Sequence, residues 1–141
     1  MIVLSVDPGA HAGQAFWRDG LLRAVSDDLD ADRCDVIVCE MPFIYPQRKT
    51  RADPNDMIVL AVRVGRLLER YSEADAVTPW PVQWNGGAKK AWTEIRVWEA
   101  LDPRERDVLR MATSLVAKGY QNNLIDAVGI GLWYLTDRGY R

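Results

Sequence analysis

Apolar residues come in short unbroken blocks over the first third of the chain and in helical stripes afterwards. "IVLSV" (residues 2–6) is a continuous apolar run closed by Asp7-Pro8-Gly9, the pattern of a buried strand ending in a turn. "GQAFWR" opens at Gly13 and is parted from "LLRAV" by Asp19-Gly20, so residues 1–25 predict a three-stranded antiparallel meander. After the polar link "SDDLDADR" comes "DVIVCE", a fourth strand without a polar break until its end and therefore expected to be buried on both faces. Met41-Pro42 stops it.

The pattern then changes period. Residues 43–54, "FIYPQRKTRADP", predict an exposed loop carrying Arg48, Lys49 and Arg51, the most basic stretch of the chain. From Asn55 or Asp56, "DMIVLAVRVGRLLERY" predicts a helix with an inward stripe of Ile58, Val62, Gly65 and Leu68 and with Arg63, Arg66 and Arg70 opposite. "ADAVTP" reads as a brief fifth strand, and "WPVQWNGG" as a loop rich in Trp and Gly. A helix from about Ala88 to Ala100 follows, with Trp92 and Trp98 expected on its core face. Asp102, Pro103 and Glu105 form a capping-box start for a helix to about Lys118, ended by Gly119. The last helix, "QNNLIDAVGIGLWYLTDRG", is apolar almost all round, with Asn122 or Asn123 as its N-cap. This order predicts one α/β domain over residues 1–141, built on a five-stranded mixed sheet, three strands antiparallel and two parallel, flanked by helices.

Composition narrows the function. With 141 residues, 48% hydrophobic and 27% charged, the chain has the make-up of an ordinary single globular domain. No run approaches the roughly 18 apolar residues of a membrane helix, and the opening residues lack a basic n-region, so a cytoplasmic protein is expected. Cys34 and Cys39, five apart around a strand, are expected on opposite faces as plain thiols. The net charge of -2 argues against binding nucleic acid by overall basicity and leaves only local patches for that role. The chain has no G-x-x-x-x-G-K-[ST], G-x-G-x-x-G or H-E-x-x-H, so no common nucleotide cofactor is expected. The single histidine, His11, has no evident nucleophile to serve, and an idle turn residue is the favoured reading over a proton shuttle.

Three acids interrupt or end apolar elements: Asp7 after the first strand, Glu40 after the fourth, and Asp126 inside the last helix. A carboxylate in such a setting costs several kcal/mol unless compensated. Functional groups on α/β sheets gather where strands end, and clustered carboxylates call for a hard cation such as Mg²⁺ or Mn²⁺. Two such ions roughly 3.5 to 4 Å apart can support phosphodiester hydrolysis. Asn123 lies three residues before Asp126 on the same helical face and offers a neutral oxygen. Gly129, one turn further on that face, is expected to let the helix approach the sheet.

"IVLSVDPGAHAGQAFW", "VIVCEMP" and "NNLIDAVGIGLWYL", together with "NDMIVLAVRVGRLLE" and "TPWPVQWNGGAKKAW", resemble the RuvC-like Holliday junction resolvases of the ribonuclease H-like nucleases, in their short phage and bacterial form. The resemblance implies the ribonuclease H-like fold and a homodimeric, divalent-metal-dependent endonuclease of bacterial or phage-infected cytoplasm that cuts branched DNA with two metal ions. Asp7, Glu40 and Asp126 would be the catalytic metal ligands, with Asn123 standing where the family often has a fourth acid. Lys89 and Lys90 fall where the family tends to carry basic residues near the scissile phosphate. Arg48, Lys49 and Arg51 would grip the DNA, and Trp84, with Trp80, would offer a stacking face to unpaired bases. The neutral Asn123 and the acidic net charge keep two alternatives open: a metal-impaired binding or assembly module of the same fold, and a nuclease acting on RNA or flap DNA.

Overall fold

The computed structural model describes residues 1–29, 31–43 and 53–141. Its sheet contains β1 (Ile2–Asp7), β2 (Gly13–Arg18), β3 (Leu21–Ser26), β4 (Val36–Cys39) and β5 (Asp75–Val77), in the spatial order β3-β2-β1-β4-β5. The first three strands form the expected meander, and β4 and β5 add to it in parallel. Among the described residues, five helices follow the strands or link them: α1 (Pro54–Arg70), α2 (Pro81–Asn85), α3 (Lys90–Ala100), α4 (Pro103–Leu115) and α5 (Gln121–Asp137). Among the described residues, no helix is long and apolar enough to cross a membrane.

Side chains alternate across a strand, and this divides the core in two. Val3, Val36 and Val38 lie on the face covered by α3, α4 and α5, while Leu4, Val6, Ile37 and Cys39 lie on the face covered by α1. Continuing the alternation places Asp7 and Glu40 on the α5 side. Ser5, between Val3 and Asp7, fixes α5 against that side. Its hydroxyl donates to the Ala127 carbonyl at 2.8 Å and accepts from the Trp17 indole N–H at 2.9 Å, all of it buried.

Glycine makes this contact close. A Cβ on Gly131 would lie 2.3 Å from Trp17 Nε1 and 2.6 Å from Ser5 Oγ. The glycine that seats α5 on the sheet is thus Gly131. Gly129, expected in that role, instead faces Trp84 and Val97, where a Cβ would meet the Trp84 ring at 2.8 Å.

The structure departs from expectation at several elements. Helix α1 buries Val64, with Leu67 and Leu68 partly covered, and leaves Ile58 62% and Val62 50% exposed, so of the predicted stripe Leu68 meets the core while Ile58 and Val62 do not. The helix is apolar on more than one side, and periodicity alone does not say which side meets the sheet. Trp92 is 60% exposed, whereas Trp98 packs against the core as expected. Tyr120 stands at the N-cap of α5, and Asn122 and Asn123 lie inside its first turn. Cys34 precedes β4, where strand alternation does not apply, and it joins Cys39 in the same core as a free thiol.

The capping box of α4 forms as the sequence indicates, and its glutamate does more. Glu105, 2% exposed, accepts from the backbone N–H groups of Asp102 and Leu22 and from both terminal nitrogens of Arg141. One carboxylate therefore ties α4, β3 and the last described residue together.

Candidate active site

The parallel pairing of β1 with β4 aligns Val6 with Cys39, and the Glu40 N–H continues that ladder to the Val6 carbonyl at 3.1 Å. Asp7 and Glu40 are consequently neighbours at the ends of adjacent strands, facing α5. Asp7 pairs across the hairpin with Gly13, and a Cβ on Gly13 would come 1.8 Å from the Asn123 carbonyl oxygen. Because Gly13 has no side chain, the first turn of α5 rests directly on the strand beside Asp7. Asp126 is carried to the same place by the next turn of that helix.

Electrostatics shows that the three acids feel one another. Burial, the Glu40 charge and the Asp126 charge push the Asp7 carboxyl up to about 7, with Lys90 acting in the opposite sense. Burial raises Glu40 as well, countered by the Trp84 hydrogen bond and reinforced by Asp126. Burial raises Asp126, which Lys90 lowers and Glu94 raises. Each carboxylate is ionised against resistance, which identifies a place of uncompensated negative potential.

The donors available are all oxygens: three carboxylates and the Asn123 amide. That set fits a hard divalent cation and not a soft one. Among the described residues no three Asp, Glu, His or Cys side chains form a group that could hold an ion as they stand. Glu40 and Asp126 have separate partners. The Trp84 indole N–H donates to Glu40 Oε2, and Lys90 Nζ is 4.0 Å from Asp126 Oδ2.

The remaining sequence candidates are placed as follows. Lys89 is the N-cap residue of α3 and exposed, one residue before Lys90. Trp84 belongs to the short helix α2 and not to a loop, and its indole N–H is used by Glu40. Trp80, 45% exposed, stacks on Phe43 with ring centroids 4.5 Å apart. Asn123 donates its Nδ2 to the His11 carbonyl at 2.7 Å. Arg48, Lys49 and Arg51 lie outside the described residues. Sequence reasoning missed Gly13 and the indole bond of Trp84. A glycine opposite an acid at a strand end was the available signal for the first, and a five-residue helix leaves no periodicity to reveal the second.

The architecture is that of the ribonuclease H-like fold, here with a carboxylate group at the ends of its central strands. No protein-family model matches the chain, and no curated protein does. Among solved structures, the Fowlpox virus resolvase, determined with its substrate Holliday junction DNA, is 18% identical with a TM-score of 0.59, covering 98% of this chain and 99% of that one. RuvC of Thermus thermophilus is 16% identical with a TM-score of 0.52, covering 99% of this chain and 97% of that one. The chain shares the fold of these two structures over nearly its whole length.

Proposed function

We propose that the protein is a divalent-metal-dependent endonuclease that cuts branched DNA in the manner of a junction resolvase. The observation that carries the reading is the convergence of Asp7 and Glu40 from adjacent strand ends with Asp126 from α5, in a setting that resists their ionisation. The similarity in fold to a viral resolvase solved with a four-way junction supports the choice of substrate. Asp7, Glu40 and Asp126 would hold Mg²⁺ or Mn²⁺, two ions in the full site. The chemistry supplied by such bound ions is activation of water and stabilisation of the leaving oxygen.

The chain's own groups do the rest. Trp84 holds Glu40 Oε2 by its indole N–H and so fixes that carboxylate beside the cluster. Lys90, beside Asp126, brings positive charge where a phosphate would approach an otherwise negative site, and Lys89 extends that charge outward. Arg48, Lys49 and Arg51 add phosphate contacts along the strand. Resolving a junction requires two cuts, hence two copies of the site. Ile58, Val59 and Val62, exposed on α1 on the opposite side of the sheet from the acids, offer an apolar face for a second copy of this chain.

Labelled four-way junction, flap, duplex and RNA substrates, incubated with Mg²⁺ or with chelator, test the reading. Junction cleavage that needs the metal and disappears in Asp7→Asn and Asp126→Asn is expected; cleavage indifferent to those substitutions overturns it. Preferential cutting of flap DNA or RNA keeps the nuclease and corrects the substrate. A second reading, a binding module without catalysis, draws on the separate partners of Glu40 and Asp126 and on the neutral Asn123. It predicts junction binding unaffected by Mg²⁺ and no tight Mn²⁺ site by calorimetry.

A further inference from the structure

Asn123 stands where the resemblance implies an acid, and its contact explains an amide. Its side chain faces the His11 carbonyl at 2.7 Å. A carbonyl oxygen only accepts, so the atom turned toward it has to be the amide nitrogen, and an aspartate there would set oxygen against oxygen. Two more contacts join the same segments. The His11 and Tyr120 rings stack with centroids 3.7 Å apart and planes 29° apart, and Gly13 lies against the Asn123 and Leu124 backbone. The turn between Asp7 and Gly13 is thus fastened to the start of α5 by three contacts.

We propose that Asn123 is a positioning residue: its amide donor fastens the turn after Asp7 to the first turn of α5, thereby fixing Asp7 relative to Asp126, and a carboxylate at 123 would undo that fastening. The meaning of Asp7 and Asp126 rests on the nuclease reading; the fastening itself does not. The competing idea, that Asn123 is a weakened ligand that an acid would improve, predicts the opposite sign. An added carboxylate three residues from Asp126 would also deepen a negative potential that Asp7 and Glu40 already share.

Amide hydrogen exchange of metal-free protein over residues 8–13, with Mn²⁺ titration calorimetry, separates the two. Asn123→Ala, which removes the donor and adds no charge, is expected to speed exchange in that turn roughly fivefold, the worth of one hydrogen bond. Asn123→Asp is expected to speed it at least as much and to bind Mn²⁺ no more tightly than the wild type. Junction cleavage by Asn123→Ala is expected to lose kcat with KM unchanged, a split that general loss of stability would not give. Unchanged exchange in Asn123→Ala, a raised KM with kcat intact, or tighter Mn²⁺ binding by Asn123→Asp overturns the proposal. If Asn123→Asp does not fold, the alanine variant decides alone. If the wild type cuts no branched DNA, the nuclease reading fails while the exchange result still stands or falls by itself.

Discussion

Replacing Asp7 by asparagine is expected to stabilise the metal-free protein and, on the nuclease reading proposed above, to abolish cleavage, and the gain in stability is expected to grow with pH. The Asp7 carboxyl moves from its ordinary 3.8 to about 7 on folding, driven by burial and by Glu40 and Asp126. A raised carboxyl means that the folded state binds more protons than the unfolded chain between those two values, so stability falls as pH rises through that window. At about 1.4 kcal/mol per tenfold change, the whole window is worth on the order of 4 kcal/mol. By pH 5 the unfolded chain has already ionised and roughly 1.7 kcal/mol of this is lost; about 2.7 kcal/mol more is lost by pH 8.5. Asparagine does not titrate, so urea unfolding in chelator at pH 5 and 8.5 is expected to show the variant's advantage widening by about 2.7 kcal/mol. Saturating Mg²⁺ is expected to narrow the gap by stabilising the wild type more. An advantage that stays constant across that range, or shrinks, refutes the claim that the site stores repulsion at Asp7.

Four other outcomes follow from the packing and the site. Gly131→Ala forces a methyl into the Trp17 and Ser5 side chains and is expected to cost about 1–3 kcal/mol by chemical denaturation, although alanine favours helices. Glu105→Ala strands Arg141 and two backbone donors and is expected to cost about 3 kcal/mol; wild-type behaviour would remove Glu105 from its tying role. Trp84→Phe deletes the donor that lowers the Glu40 carboxyl, so the acidic limb of the pH–rate profile is expected to move to higher pH. Val62→Glu places a charge on the exposed α1 face and is expected to yield monomers by light scattering if that face pairs two copies.

The strands were legible because their signals are local. Asp7-Pro8-Gly9, Asp19-Gly20 and Met41-Pro42 mark strand ends by turn chemistry that needs no knowledge of the rest of the chain, and the Asp102–Glu105 box marks a helix start in the same way. The order of the acids was legible too, because each breaks an apolar run. What was hidden depends on which surfaces meet. Gly129 and Gly131 look alike along the sequence, yet one faces Trp84 and the other the Ser5–Trp17 pair. The inward side of α1, the partners of Glu105, and the donor role of Asn123 are likewise fixed by residues remote in sequence.

The Ser5–Ala127 hydrogen bond joins residues 122 apart in the chain. Asp7 and Asp126 are likewise far apart in sequence and meet only through α5, so a fragment lacking α5 contains no complete acid cluster. On the nuclease reading proposed above, the site would therefore exist only once α5 has closed on the sheet, and that helix would be both the keystone of the core and the safety catch of the chemistry.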